Sequence, residues 1–357
     1  IFFMISLGIG LSVAGTALVS QYIGAGDTRD AARSAGQVLT FCLFFSVLIG
    51  ASGYVLTPSV IRWMGADGAL YAQAVSFLQI IFLGMPFLLG FMAYTSIMQG
   101  QGDTISPMIF GILSVLLNMI LDPILILTLD MGVAGAAWAT VIARMVFCII
   151  AVYSLFRGRW RKGIDLHLAH LKPEGRWLKK IAKVGMPASL GQSSAALGFV
   201  IMNAFIVGFG DNTLAAFGIG NRINSLVLMP AMGIGSALAT IVGQNIGYGD
   251  IPRACLAVRR SLQLSVSLSL VGGLILFLLA GSVMEVFTDS PDVYAQGVEY
   301  LRWICAGIFL MAIFQVFVGV FQGSGHTVMA MILMAGRLLA VRIPLIVLLS
   351  RLFDIGS

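Results

Sequence analysis

Charge is what this chain has least of. Of 357 residues only 10% are charged while 59% are hydrophobic, whereas a soluble globular domain carries about a quarter charged residues. That shortage argues against an ordinary soluble protein. Cysteine is also scarce: Cys42, Cys148, Cys255 and Cys305 stand singly in apolar runs, with no CxxC pair. They read as small buried hydrophobes, and neither a metal site nor a disulfide framework is expected. The only histidines, His167, His170 and His326, lie in or beside loops and build no HExxH motif. The chain opens directly in an apolar run, without a basic stretch or a small-residue cleavage site, so its start does not read as a signal peptide.

What fills the chain instead is apolar sequence in long runs. A helix needs about 20 apolar residues to cross the hydrocarbon, where every backbone polar group must find its partner within the segment. Ten such runs stand at roughly 1–23, 34–56, 74–98, 105–128, 132–156, 184–209, 216–246, 258–284, 296–321 and 328–350. Forty-two glycines and eighteen methionines suit closely packed membrane helices. Nine of the twenty-one basic residues fall between Arg157 and Lys183, the one long polar connection. Arg29 and Arg33 occupy a short loop, and Arg253, Arg259 and Arg260 its counterpart. Counting spans puts all three loops on one side, which the positive-inside rule makes cytoplasmic. The net charge of +6 therefore reads as a topology signal rather than a nucleic-acid surface.

The chain also resembles itself when shifted by 223 residues. Gln21-Tyr22-Ile23-Gly24-Ala25-Gly26-Asp27 returns as Gln244-Asn245-Ile246-Gly247-Tyr248-Gly249-Asp250. Tyr71-Ala72-Gln73 returns as Tyr294-Ala295-Gln296, and Gln99-Gly100-Gln101-Gly102-Asp103-Thr104 as Gln322-Gly323-Ser324-Gly325-His326-Thr327. Membrane-embedded repeats are the usual build of secondary transporters. At this offset the spans at 184–209 and 132–156 have no partners, so the expectation is an all-α polytopic membrane protein of two parallel six-helix repeats, here about ten transmembrane helices with the first and last of the parent missing. The lobes would be 1–156 and 184–357, joined by a cytoplasmic basic linker, 157–183. The Gly24-Ala25-Gly26 and Gly247-Tyr248-Gly249 corners should end helices, with Asp27 and Asp250 each capping the next helix. Gly100-Gln101-Gly102 is not a phosphate loop, since no strand precedes it and no GK[ST] comes after it.

Helix 1–23 with its QYIGAGD end, the GVAGAAWAT run at Gly132–Thr140, VGMP at Val184–Pro187 and VGQNIG at Val242–Gly247 together resemble the multidrug and toxic compound extrusion (MATE) family. The similarity spans essentially the whole chain, and it leans toward the DinF-like branch more than the NorM-like one. It implies two six-helix lobes around a V-shaped cavity and efflux of organic, often cationic, compounds in exchange for protons or sodium. In DinF-like members a cation site in the first lobe uses an Asp on the first helix, an Asn and an Asp one turn apart on the fifth, and a Thr on the sixth. Asn118 and Asp122 match the pair on the fifth and Thr140 the position on the sixth, while the first-helix Asp has no counterpart in this chain. NorM-like relatives hold sodium in the second lobe between a Glu and an Asp. Here Gly185–Gly210 and Tyr300–Phe353 contain no acidic residue, and the Glu position falls near Ala195.

Read on its own chemistry, Asp122 is the one carboxylate well inside an apolar run. A charge at the centre of a membrane helix costs about 2.5–3.5 kcal/mol on insertion scales, which marks it as a functional candidate. Desolvation favours its protonated form. Asn118 lies one turn earlier on the same face, and Pro123 removes the amide that the Met119 carbonyl would accept, so the helix can bend. Reckoned from the outer ends of their helices, Asp122 and Thr140 are nearly level, at roughly 9 and 12 Å. The rival reading makes Asp122 a structural cap near the outer interface. Gln192, Ser193, Ser194 and Asn203 give the 184–209 span a polar streak, and Gln192, Ser193, Asn203 and Met202 are the candidates for lining a substrate cavity; hydrogen bonding between helices is their other reading. Met4, Met92, Met98, Met229 and Met232 offer adaptable surface or packing. Arg144, Arg222, Arg337 and Arg342 fall in or beside spans and either snorkel or face a polar site, while Glu299 and Arg302 suit a surface pair.

A membrane-embedded enzyme would need a catalytic constellation, and Asp122 stands alone. A channel would show rings of carbonyls or repeated charges. The expected function is thus a secondary active antiporter exporting organic, cationic compounds, with a lipid-linked saccharide flippase as the alternative that Arg144, Arg337 and Arg342 keep open. No cofactor or metal is expected beyond the coupling ion, a proton in preference to sodium. The expected partners are a small organic substrate and the lipid bilayer of the plasma membrane, with no nucleic acid and the chain working as a monomer.

Overall fold

The computed structural model describes residues 2–65, 67–157, 164–345 and 348, with side chains from Ile5 onward. The Met4 side chain and residues 158–163 of the basic connection thus lie outside the described residues. Every described element is helical, as hydrocarbon requires of a chain that cannot close a barrel. One unit, Phe3–Met186, holds α1 (Phe2–Gly24), α2 (Thr28–Trp63), α3 (Gly68–Leu83), α4 (Met85–Gly100), α5 (Ile105–Pro123), α6 (Gly132–Phe156) and the start of α7 (Gly175–Val207). The other begins at Pro187 and holds the rest of α7 with α8 (Asp211–Tyr248), α9 (Ile251–Glu285), α10 (Pro291–Gly323) and α11 (Thr327–Gly336). Among the described residues nine helices are long and apolar enough to cross a membrane, or ten when α3 and α4 count as one bent span.

The repeat is visible in backbone geometry. Gly26 and Gly249 take φ of 74° and 89° at matching corners, a left-handed turn that a side chain would strain. Asp27 then accepts from the Asp30 amide at 2.9 Å, and Asp250 from the Arg253 amide at 2.9 Å, each capping a long helix. Gly102 and Gly325 repeat the device at φ 87° and 79°. Packing repeats as well. In the first unit α1 meets α4 where Ser12 donates to the Met92 carbonyl at 3.4 Å and Thr16 to that of Ser96 at 3.3 Å. At the same offset in the second unit α8 meets α10 through glycine: a Cβ on Gly319 would sit 2.2 Å from the Gly235 carbonyl oxygen. Small residues let these helices close to backbone contact, which replaces the hydrophobic drive that lipid cannot supply.

Three local expectations are corrected. The run at 74–98 is two helices, α3 and α4, bent by 42°. Pro86 has no amide for the Phe82 carbonyl and its ring crowds that turn; the matching residue of α10 is Phe309, and α10 runs unbroken. Second, α7 begins at Gly175, inside the expected linker 157–183 and well ahead of 184. Trp177, Ile181 and Val184 are spaced as one helical face and are buried with the first unit's core. Lys180 lies 4.8 Å over the Trp177 ring and donates to the Tyr22 hydroxyl at 2.5 Å, while Arg176, Lys179 and Lys183 stay exposed. Third, Cys255 is exposed on α9, whereas Cys42 and Cys148 are buried.

The connection ahead of α7 is held as well. The Gln37 amide nitrogen donates to the carbonyls of His170 and Lys172 at 2.8 and 2.6 Å, and its oxygen accepts from the Glu174 amide at 2.9 Å. Thr40 donates to the Leu171 carbonyl at 2.9 Å. A Cβ on Gly36 would lie 2.5 Å from the His170 carbonyl oxygen, so only glycine admits the segment this close.

Candidate functional site

The candidate site is built on α5 and α6. α5 is amphipathic in an inverted sense, with most of its apolar residues outward, and it ends at Pro123. From Ile124 to Thr128 the chain continues as a π-helix, in which the Leu129 amide reaches the Ile124 carbonyl at 3.0 Å. The widened turn directly after the proline is the distortion that the missing amide invites, and such turns often mark functional sites. α6 approaches closely here because Gly135 has no side chain: a Cβ would lie 2.7 Å from the Leu125 carbonyl oxygen.

Asn118 and Asp122 are brought together. The Asn118 amide donates to the Asp122 carboxylate at 3.3 Å, and both side chains are half-buried. With Leu125 level with Gly135 on the neighbouring antiparallel helix, Thr140 falls within about 3 Å in depth of Asp122. The Thr140 hydroxyl does not reach the acid, however; it donates to the Ala136 carbonyl of its own helix at 3.0 Å. Among the described residues no basic side chain pairs with Asp122, and Arg144 forms no ion pair with it. The result is a carboxylate within a span whose one side-chain partner here is a neutral amide.

The proposed cavity residues fall on α7. Ser193 is buried, Gln192 and Met202 are partly exposed, and Asn203 donates to the Phe199 carbonyl at 2.8 Å within its own helix. Ser194 likewise donates to the Leu190 carbonyl at 2.9 Å.

The roles of two polar residues are not legible in the sequence reading. Asp103 is buried and caps α5, accepting from the Ile105 and Ser106 amides at 3.0 Å and from the Ser106 hydroxyl at 2.7 Å. The Asp-x-x-Ser spacing at the head of an apolar run was the available signal. Gln37 was hidden inside the apolar run 34–56; a lone amide there had to find buried partners. Near its partners, His170 lies outside the spans, and burial together with His167 and the neighbouring arginines holds its imidazole below the usual histidine range, against a smaller opposing pull from Asp165.

Many apolar spans, a duplicated helical unit and an intramembrane carboxylate define a multi-span membrane transporter rather than an enzyme. The MatE family model matches residues 1–124 and 187–348. The chain belongs to the MATE family. It is 27% identical over 347 residues to the probable multidrug resistance protein YpnP of Bacillus subtilis, covering 97% of this chain and 77% of that protein. It is 28% identical over 353 residues to the probable multidrug resistance protein NorM of Thermotoga maritima, covering 98% and 75%. A solved structure of a multidrug resistance MATE family transporter of the MOP superfamily, in its outward-facing conformation, superposes with a TM-score of 0.94 at 27% identity, covering 99% of this chain and 79% of that one.

Proposed function

We propose that this chain is a secondary active antiporter that exports organic compounds, cationic ones foremost, in exchange for protons by alternating access. The observation that carries the reading is Asp122, placed in a span beside a proline-linked π-turn with the Asn118 amide at 3.3 Å. A carboxylate held by a neutral amide can take up and release a proton, whereas one locked in an ion pair cannot without uncovering a buried charge. Thr140, level with it on α6, is suited to join the site in a conformation where its hydroxyl leaves the Ala136 carbonyl. The second unit offers no equivalent: α7 from Gly185 onward and the described residues after Tyr300 contain no Asp or Glu. A hard cation surrounded there only by neutral oxygens would be poorly compensated, which favours protons over sodium and the DinF-like branch over the NorM-like one. The same reading puts the protein in the plasma membrane, and the excess of Lys and Arg in the loops at Arg29 and Arg253 and in the basic connection supports a cytoplasmic side for all three.

The test is transport in proteoliposomes of a fluorescent organic cation under an imposed pH gradient or an imposed sodium gradient. Proton-driven movement abolished by Asp122→Asn is the expected result. Movement driven by sodium alone, indifferent to collapse of the proton gradient, would overturn the coupling assignment. A lipid-linked saccharide flippase is the second reading, favoured by Arg337 and Arg342, which form no ion pair among the described residues.

A further inference from the structure

We propose that Arg337 and Arg342 form an anion-binding subsite in the second unit, one that takes the carboxylate or phosphate group of an amphipathic organic ligand. α11 does not end as an α-helix. From Arg337 to Arg342 it continues as a π-helix, closed by the Ile343 amide on the Leu338 carbonyl. Residues five apart diverge on an α-helix, but with i→i+5 bonding they stand one turn apart on one face. The π-segment therefore brings its two end residues, Arg337 and Arg342, to one side of the helix.

Among the described residues their surroundings hold no counterion. Arg337 lies 4.6 Å over the Phe314 ring, and its Nη1 donates to the Met311 sulfur at 2.8 Å. A thioether is a weak acceptor, and a guanidinium has five N–H donors to place. Arg342 is exposed and takes part in no ion pair among the described residues. The described acids of this unit sit at or near helix ends: Asp292 accepts from Asn212 at 3.4 Å and Glu299 from Trp303 at 3.4 Å. Arg337 stands ten residues into the span Thr327–Leu345, about 15 Å from its start and near the middle of a core about 30 Å thick. From there snorkelling to either edge is longest. Placing a cation in such a position without a partner is costly unless something else supplies the negative charge.

The repeat sharpens the case. At the 223-residue offset Arg337 and Arg342 correspond to Ser114 and Met119, while Asp122 and Asn118 correspond to Leu345 and Val341. The two copies of one helix have thus taken opposite charge: acid and amide in the first unit, two arginines in the second. An arginine fork matches a carboxylate or phosphate with two parallel hydrogen bonds, and the adjoining Phe314 and Met311 suit the apolar body of such a ligand. The efflux reading supplies the direction in which the bound molecule would move, but binding itself does not depend on it.

The experiment is equilibrium binding to the purified full-length protein, followed by tryptophan fluorescence, of dodecanoate, dodecyl phosphate, farnesyl diphosphate, dodecanol and dodecyltrimethylammonium. Anionic ligands should bind at least tenfold more tightly than dodecanol. Arg337→Gln should remove that preference, Arg337→Lys should keep part of it, and Arg342→Gln should reduce it severalfold. Each variant must elute as the wild type does on size exclusion, and retention of preference by Arg337→Lys separates loss of charge from loss of fold. Preference for farnesyl diphosphate assigns the anion to a lipid headgroup, and preference for dodecanoate to a free organic acid. Equal binding of anionic and neutral ligands, or a preference that survives Arg337→Gln, refutes the subsite. Because binding is read without any gradient, a failure of the antiport assay leaves this result standing, and the reverse.

Discussion

Gln37→Leu is the sharpest probe of how the connection ahead of α7 is held. Leucine keeps nearly the volume of glutamine and removes all of its hydrogen bonding, so three backbone groups, the carbonyls of His170 and Lys172 and the amide of Glu174, lose their partner at once. Each such bond contributes about 0.5–1.5 kcal/mol net. The contacts are partly buried, so water replaces some of the loss, and the docked segment should be weakened by about 2–4 kcal/mol. At 1.4 kcal/mol per tenfold that is roughly a 30- to 700-fold rise in local opening. The assay is hydrogen–deuterium exchange of peptides covering 168–176 in detergent-solubilised protein, with the α1–α4 core as internal reference. Exchange should accelerate in this segment and stay unchanged in the core. Thr40→Val, which removes one bond to the Leu171 carbonyl, should show a smaller effect of the same kind. Exchange unchanged in Gln37→Leu would mean that the segment is held by the Gly36 approach and the Trp177 packing alone.

Asp122→Asn should abolish efflux with expression and monodispersity retained, while Asn118→Ala and Thr140→Ala weaken it less, since each removes a single neutral group; drug-susceptibility panels on expressing cells read this. Gly319→Ala should lower the thermal unfolding midpoint, because its Cβ would lie 2.2 Å from the Gly235 carbonyl oxygen and overpacking costs about 1–3 kcal/mol, whereas Gly307→Ala on the same helix meets nothing within 4 Å and should hold or raise it. Docking of the 168–174 segment should weaken as pH falls. His170 accepts from the His167 amide at 3.2 Å through Nδ1, and its folded pKa is held below the usual 6.5, so the released segment takes up protons that the docked one refuses. Protection of that segment, exchange relative to the base-catalysed rate of a free amide at the same pH, should therefore be greatest above about pH 6.5 and fall below it, and His170→Gln should flatten the profile. Asp165→Cys should be labelled by an impermeant maleimide only from the cytoplasmic side, and labelling from outside intact cells would reverse the topology.

Much of the fold was legible because the bilayer leaves few choices. Runs of apolar residues had to be helices, and a gapless 223-residue echo had to be a duplication, which Asp27 and Asp250 confirm by capping α2 and α9 in the same way. Asn118 and Asp122 were legible as a pair because one turn of a helix is a local distance. What escaped was decided by partners far away in sequence. Gln37 and the 170–174 segment are more than 130 residues apart, and no pattern in either announces the other. The charged start of α7 looked like linker because its basic residues were weighed and its buried face, Trp177, Ile181 and Val184, was not.

Composition and periodicity by themselves determined that this chain is a duplicated, membrane-spanning bundle, since hydropathy and repeat spacing act residue by residue along the chain. Only the tertiary structure decided that Thr140 bonds its own helix rather than Asp122, that Pro86 breaks one copy of a helix and not the other, and that α11 runs on as a π-helix from Arg337 to Arg342. Those outcomes depend on hydrogen-bond geometry a few tenths of an ångström wide, settled by which neighbours pack against each turn, and a linear pattern does not carry that information.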